Sequence, residues 1–161
     1  MFSEFDPVTQ TKANCAACPT AVIMRRAESI VLFLFGGLGY GLLEILWRGR
    51  THWSMLLCGG FALLLLRQIG RFSLPFWAQC AAGAACITGL ELAVGLVLNR
   101  WLRLGVWDYS SLWGNLWGQI CPAFSLLWLL LSAAMLAVLR TLPPWQDSVP
   151  LPAPDEESAA E

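Results

Sequence analysis

Charged residues are scarce in this sequence. Only 13% of the 161 residues are Asp, Glu, Lys or Arg, whereas soluble domains contain about 25%. The ten basic residues are balanced by eleven acidic ones, so the chain lacks the positive field that attracts nucleic acid. This composition argues against a soluble enzyme and against an intrinsically disordered protein. Instead, 57% of the residues are hydrophobic and nine are tryptophan.

Motifs of catalysis and metal binding are also missing. The chain has a single histidine, His52, and a single lysine, Lys12, and it contains no Gly-x-x-x-x-Gly-Lys loop for ATP hydrolysis. Cys15-x-x-Cys18 has the spacing of a metal site, but zinc needs four ligands and no second pair accompanies it. We therefore expect no cofactor, no metal and no enzymatic activity. A membrane-embedded enzyme that uses Glu44, Glu91 and His52 is the weakest alternative.

Long apolar runs predict membrane-spanning helices. Ser29–Trp47, Phe76–Leu98 and Ile120–Leu139 each have about the 20 residues needed to cross a hydrocarbon core of about 30 Å. Ser54–Leu66 is shorter, but polar and aromatic residues at both of its ends can extend it to the membrane interfaces. The sequence therefore predicts an all-α integral membrane bundle of four transmembrane helices.

The predicted spans divide the chain into three parts. Residues 1–28 form a polar N-terminal tail without the apolar segment of a signal peptide. Residues 29–142 form the four-helix transmembrane domain, and residues 143–161 form a proline-rich acidic tail that we expect to be disordered. The side of the two termini has more Lys and Arg residues than the opposite side, which favours both termini in the cytoplasm.

Two glutamates interrupt the predicted spans. A charge at the middle of a bilayer costs at least about 2.5 kcal/mol, so Glu44 and Glu91 need partners. Tyr40, Glu44 and Arg48 recur at helical spacing on one face, where Arg48 can pair with Glu44. Both glutamates precede helix ends on the same membrane side and could meet in one cluster. They either form ion pairs with Arg48 or Arg100 that hold the helices together, or relay protons or cations.

The third span carries a stripe of polar and small residues, which is unlike a lipid-facing surface. The stripe comprises Thr88, Glu91, Gly95 and Asn99. A weaker stripe in the fourth span comprises Cys121, Ser125, Trp128 and Ser132. Small residues four positions apart, which permit close helix packing, occur at Gly37 and Gly41 and at Gly89 and Ala93.

The loops on the glutamate side are rich in tryptophan. Six tryptophans lie there: Trp47, Trp53, Trp101, Trp107, Trp113 and Trp117. They indicate an aromatic belt in the headgroup region, or a folded cap in which Asp108, His52 and nearby arginines form a polar site, and the two interpretations are compatible. The candidate polar cluster comprises Tyr40, Glu44, Arg48, Thr51, His52, Thr88, Glu91, Asn99, Trp107, Asp108, Tyr109, Ser110, Asn115 and Gln119.

Several of these motifs resemble a known family. They are Gly39–Met55, Thr88–Glu91, Asn99, Val106–Ser110 and Asn115–Cys121. Over roughly residues 29 to 140, the chain resembles the bacterial membrane protein family named "putative ABC-transporter type IV", or CmpB-like. The resemblance implies a small multi-helix transporter permease, with no established substrate and no established catalytic residue.

Two functional hypotheses follow from the residues and the resemblance. In the first, the chain is a permease or accessory subunit of an ABC-type transport complex, in which Glu44 and Glu91 line or gate a path for an unknown small solute. A separate nucleotide-binding ATPase subunit would supply the energy, and a homodimer or partner would complete the path. In the alternative, the chain is a non-transporting scaffold or regulator that binds an envelope protein or lipid through Trp-rich extracytoplasmic loops. Both place it in the bacterial cytoplasmic membrane.

Overall fold

The computed structural model describes residues 19–142. Cys15 and Cys18 lie outside the described residues, and so does the expected disordered tail of residues 143–161. Residues Ile30–Leu142 form one compact unit of the chain.

Four α-helices make up most of the described chain. They are α1 (Pro19–Arg48), α2 (Trp53–Ile69), α3 (Phe76–Gly95) and α4 (Pro122–Thr141), and a π-helical segment, Leu96–Trp101, continues α3. Within residues 19–142 there is no β-strand, and one isolated antiparallel bridge joins Leu116 to Ile120. The predicted all-α fold class is confirmed.

Three segments are long and apolar enough to cross a membrane: Arg26–Arg48, Phe76–Trp101 and Pro122–Thr141. The remaining helix, α2, has 17 residues and is therefore about 25 Å long. Many large apolar side chains of α1 and α4 are exposed, including Leu38 and Leu130. Such faces are unfavourable in water but match lipid.

Two helix ends differ from the expected positions. α1 begins at Pro19, before the predicted span, because residues 20–28 contain no glycine or proline that would break the helix. α4 begins at Pro122 rather than Ile120. In both helices proline takes the first position, where its missing N–H needs no partner and its fixed φ suits the helix.

Glycines allow α1 and α2 to pack closely. A Cβ on Gly36 would lie 2.6 Å from the Gly59 carbonyl oxygen, and a Cβ on Gly59 would lie 2.6 Å from the Gly36 carbonyl oxygen. Gly37 approaches the Leu56 carbonyl oxygen in the same way. Substituting any of these glycines would therefore push backbone away from backbone.

The packing expected of Gly89 and Ala93 is wrong for Gly89. A Cβ on Gly89 would meet no atom within 4 Å, because this residue lies on a face of α3 turned away from α2 and α4. Gly83 lies at the interface instead, where a Cβ would come within 2.5 Å of the Leu66 side chain and 3.0 Å of the Ser132 hydroxyl.

The core lies where α3 packs against α2 and α4. Its buried residues are Leu32, Leu63, Leu66, Cys80, Ala84, Ile87, Trp128, Leu136 and Leu139. At the end of the bundle opposite the glutamate-side loops, Arg140 donates to the Gln79 side chain at 2.8 Å and lies 4.4 Å above the Phe76 ring. These contacts fasten the start of α3 to the end of α4.

Candidate functional site

Glu91 on α3 is buried and held by two neutral donors. Its side chain is only 6% exposed. Tyr109 donates its hydroxyl to one carboxylate oxygen at 3.0 Å, and the Trp128 indole N–H donates to the other at 2.8 Å. A buried carboxylate without hydrogen bonds would be strongly unfavourable, so these two donors allow it to lie between the helices.

Aromatic stacking fixes both donors. The Trp128 ring stacks on Tyr40 of α1 with centroids 5.6 Å apart. The Tyr109 ring stacks on Phe124 of α4 with centroids 4.5 Å apart. Burial, followed by the neighbouring Glu91 charge, raises the pKa of the Tyr109 hydroxyl. This phenol in the loop therefore keeps its proton and remains a donor.

The polar stripes of α3 and α4 face each other. Glu91 pairs with Trp128, and the Thr88 hydroxyl lies 3.4 Å from the Ser125 hydroxyl. Ser132 is completely buried, and its hydroxyl has no hydrogen-bond partner among the described residues 19–142. The stripes thus meet at the helix interface, as their sequence pattern indicates.

Glu44 on α1 has a different environment, built around a cation. The Arg48 guanidinium donates to one carboxylate oxygen at 2.7 Å, and the Thr51 hydroxyl donates to the other at 2.7 Å. Glu44 is 7% exposed and Arg48 27%. Arg48 therefore neutralises Glu44. Arg100, the other arginine expected to pair with a glutamate, is exposed. Glu91 is held instead by the neutral donors Tyr109 and Trp128.

The loop after the π-helical segment connects the two glutamates. Arg48 donates to the Val106 carbonyl oxygen at 2.8 Å, and three residues later Tyr109 donates to Glu91. Val106 also donates its backbone N–H to the Asn99 side chain at 2.7 Å. The glutamates therefore do not bond each other directly but share residues 106–109.

Asn99 and Gln119 hold the inner side of this loop. Asn99 donates to the Gln119 side-chain oxygen at 2.8 Å, and the buried Trp107 donates its indole N–H to the Gln119 carbonyl oxygen at 3.0 Å. A Cβ on Gly95 would lie 2.5 Å from the Gln119 side-chain oxygen and 3.0 Å from the Trp107 ring. Glycine at position 95 therefore lets the loop fold tightly onto α3.

Asp108, Ser110 and Asn115 stabilise outer turns of the loop. Asp108 is exposed and accepts from the Ser110 backbone N–H at 2.8 Å and from its hydroxyl at 3.0 Å. Asn115 donates to the Ser110 carbonyl oxygen at 3.1 Å and accepts from the Gly118 N–H at 3.0 Å. These bonds do not bring Asp108 to either buried glutamate.

His52 caps α2. Its Nδ1 lies 2.7 Å from the Ser54 hydroxyl and accepts from the Ser54 backbone N–H at 3.4 Å. The described contacts do not join its ring to Glu44 or Asp108. Within residues 19–142, no three His, Cys, Asp or Glu side chains form a group that could hold a metal ion.

The tryptophans of the glutamate-side loops occupy two environments. Trp107 is buried against the loop core. The other five are exposed, as expected for an aromatic belt: Trp47, Trp53, Trp101, Trp113 and Trp117. The structure therefore combines exposed aromatics with a folded loop cap.

Two cavities adjoin these side chains. One of about 30 Å³, which is large enough to hold a water, lies beside Glu91, Tyr40, Cys58 and Trp128. The other, of about 180 Å³, lies beside Glu44 at the end of α1.

Some site residues were missed by sequence reasoning. Phe124 was not singled out, although it stacks on Tyr109. The π-helical geometry of Leu96–Trp101 was also not predicted. Helical spacing did place Trp128 in the polar stripe of the fourth span. Spacing within one helix, however, does not identify the residue that a side chain contacts on another helix.

Comparison with known families bears on the whole membrane region. The family model described as "Putative ABC-transporter type IV" matches residues 15–150. This range includes all four α-helices. The chain belongs to this family. No curated protein and no solved structure matched the chain. The chain is therefore an ABC-transporter-related membrane protein, because it belongs to this family and has long apolar helices.

Proposed function

We propose that the chain is a non-enzymatic permease, or an accessory subunit, of an ABC-type transport complex that moves a small solute across a bacterial cytoplasmic membrane. The observation that carries this proposal is the buried Glu91, which lies between apolar helices and is held by Tyr109 and Trp128 rather than by a cation. Ionisable residues inside membrane-spanning helices typically mark solute or ion paths. Membership in the type IV family supports the same assignment.

The loop contacts suggest how binding at Glu91 is communicated. A solute with a positive charge or a strong donor competes with the Tyr109 hydroxyl for the carboxylate. Release of Tyr109 removes one attachment of residues 106–109, which are also attached to Arg48 through the Val106 carbonyl. In this proposal Glu91 binds or gates the solute, and the Glu44–Arg48 pair anchors the moving loop.

The energy comes from a separate nucleotide-binding ATPase subunit in this proposal, because the sequence contains no P-loop. Four helices are few for a translocation path, so a second copy or another membrane subunit completes it. In the proposed orientation, the α2–α3 loop of residues 70–75 faces the cytoplasm, as do both termini. We propose that this loop contacts the ATPase.

The first test is purification of the tagged full chain from its own membranes in mild detergent, followed by mass spectrometry. We expect a P-loop ATPase in stoichiometric amount. Recovery of the chain alone, or with envelope proteins only, would contradict the permease assignment.

The second test measures ATP hydrolysis by the purified complex in lipid vesicles. Glu91→Gln should lower the rate at least about tenfold if Glu91 gates the path, since it removes the charge but keeps similar size. Asp108→Asn is the matched control, because in the part of the chain that the structure describes the Asp108 side chain bonds only within its own turn. Equal rates for wild type and Glu91→Gln, at equal membrane abundance, would remove Glu91 from the mechanism.

A scaffold or regulator is the second candidate function, and the exposed loop tryptophans favour it. Trp113 is 88% exposed and Trp101 78%, and exposed aromatics are common anchors for protein or lipid partners. Under this hypothesis Trp113→Ser abolishes recovery of an envelope partner, whereas Glu91→Gln leaves it unchanged. The opposite pattern would exclude the scaffold.

A further inference from the structure

The 180 Å³ pocket is half open and lies between the end of α1, the start of α2 and the loop beyond the π-helical segment. Its volume is many times the roughly 10–15 Å³ that a cavity needs to hold one water, so it can hold a polar group larger than one water. It is lined by Glu44, Arg48, Arg50, Thr51, His52, Leu104, Gly105 and Val106.

The acidic member of this pocket is already satisfied. One Glu44 oxygen accepts from Arg48 and the other from Thr51, each at 2.7 Å. Arg48 also uses its second terminal nitrogen to bind the Val106 carbonyl oxygen. Glu44 and Arg48 therefore cancel in charge and form a fixed wall.

Arg50 supplies the excess positive charge. Its guanidinium makes no hydrogen bond or ion pair with any residue in the described part of the chain. Guanidinium has a planar fork of donors that matches phosphate oxygens in a bidentate geometry. The guanidinium of Arg50, which has no protein partner among residues 19–142, thus favours an oxyanion as the ligand of this pocket.

His52 adds a second donor. Its Nδ1 lies 2.7 Å from the Ser54 hydroxyl and 3.4 Å from the Ser54 backbone nitrogen. Ser54 therefore engages Nδ1, and Nε2 is the ring nitrogen left for a ligand. The exposed Trp47 and Trp53 flank the same segment. Tryptophans on a membrane protein mark the headgroup level, which is where lipid phosphates lie.

We propose that this pocket binds a phosphate group, with Arg50 as the main ligand and His52 as a second donor. The phosphate belongs either to a phospholipid headgroup or to a soluble phosphate ester, and the chemistry of recognition is the same for both. This proposal does not rest on transport, because binding is measured without ATP or an ATPase subunit.

Native mass spectrometry of the purified full chain in detergent tests it, with phosphatidylglycerol as the added lipid. Diacylglycerol, which has the acyl chains without the phosphate, is the matched ligand control. Arg50→Gln should weaken phosphatidylglycerol binding about tenfold, because a charge-assisted hydrogen bond is lost. Arg100→Gln, on an exposed arginine outside the pocket, should leave binding unchanged.

His52→Asn separates ligand binding from helix capping. Asn is a strong N-cap residue, so this variant retains the start of α2 while removing the imidazole donor. We expect severalfold weaker phosphatidylglycerol binding with an unchanged Tm. Because Arg50 is exposed and has no partner in residues 19–142, Arg50→Gln should also leave Tm unchanged.

Added glycerol 3-phosphate distinguishes the two sources of phosphate. Displacement of phosphatidylglycerol by millimolar glycerol 3-phosphate identifies a soluble phosphate ester as a ligand, and failure to displace it identifies the lipid headgroup. Equal binding of diacylglycerol and phosphatidylglycerol would overturn the proposal. So would equal losses in Arg50→Gln and Arg100→Gln, whatever the outcome of the transport tests.

Discussion

Single residues determine how each glutamate is tolerated inside the bundle. Glu91 depends on Tyr109 and Trp128, which are neutral donors from a loop and from another helix. Glu44 depends on Arg48, one helical turn away. Two carboxylates of the same type are therefore stabilised in different ways, by donors fixed through aromatic stacking or by a local ion pair.

Removal of the Tyr109 hydroxyl should destabilise the protein. Tyr109→Phe keeps the ring that stacks on Phe124 but leaves one oxygen of Glu91 without its donor. A hydrogen bond to a charged group contributes about 2 kcal/mol, so the Tm in detergent should fall. Tyr40→Phe is the matched control, because the Tyr40 hydroxyl makes no hydrogen bond within the described residues while its ring stacks on Trp128. Equal Tm changes in the two variants would contradict this role of Tyr109.

Removal of Arg48 should release the loop as well as Glu44. Arg48→Gln leaves the Glu44 charge without its cation and frees the Val106 carbonyl. We expect the free energy of unfolding to fall by about 2 kcal/mol. This is less than for a fully buried pair, because Arg48 is 27% exposed. Hydrogen exchange should become faster at the backbone amide of Val106.

The Glu44→Gln/Arg48→Gln double variant is the control for Arg48. It removes both charges together, so it should be more stable than Arg48→Gln alone. A double variant that is less stable than the single variant would show that the ion pair is not what Arg48 contributes.

At the scale of secondary-structure elements, glycine determines how closely α1 and α2 approach. Gly59→Ala would place a Cβ 2.6 Å from the Gly36 carbonyl oxygen and 2.5 Å from the Tyr40 Cβ. We expect it to destabilise the protein by about 1–3 kcal/mol, because the helices must move apart. Gly39→Ala, on α1 with no atom within 4 Å of the new Cβ, should cause no loss. The measurement is thermal unfolding in detergent, and equal Tm values for both variants would refute close packing at Gly59.

Helix identity could be predicted from the apolar runs, but helix pairing could not. The runs around Glu44, Cys58, Glu91 and Ser132 all became helices. The small-residue pattern at Gly89 predicted an interface that the structure does not contain, since spacing alone does not tell which face of α3 points to a neighbour. Gly83 occupies the interface because it lies on the same face as the buried Cys80 and Ala84.

At the scale of the whole molecule, the order of the spans predicts on which side of the membrane each loop lies. If all four helices cross the membrane, Ser111 and Ser73 lie on opposite sides, with Ser73 in the cytoplasm under the proposed orientation. In a cysteine-free background, Ser111→Cys should react with an impermeant maleimide in intact cells. Ser73→Cys should react only after the membrane is permeabilised.

The outcome also tests whether the short helix α2 spans the membrane together with its neighbours. Both positions are exposed on the protein, so access is limited by the membrane and not by burial. Labelling of both cysteines in intact cells would contradict the four-span topology. Labelling of Ser73→Cys alone would reverse the proposed orientation.

Part of the candidate site could be predicted because its members are close in sequence. Glu44 and Arg48 are four residues apart on a helix, and this spacing brings them into contact. Tyr109 and Trp128 are 18 and 37 residues from Glu91. Their side chains were noted in the sequence, but nothing local specifies that both donate to the same carboxylate.

The sequence alone determined that the chain is helical and suited to a membrane, because runs of about 20 apolar residues have few other stable structures. It also indicated, from their spacing, that Arg48 can pair with Glu44. Only the tertiary structure decided that Glu91 has neutral partners, that Asp108 stabilises a surface turn and that Arg50 lines a pocket. These outcomes depend on how the loop after α3 folds back onto the helices, and contacts between distant residues are set by packing rather than by periodicity.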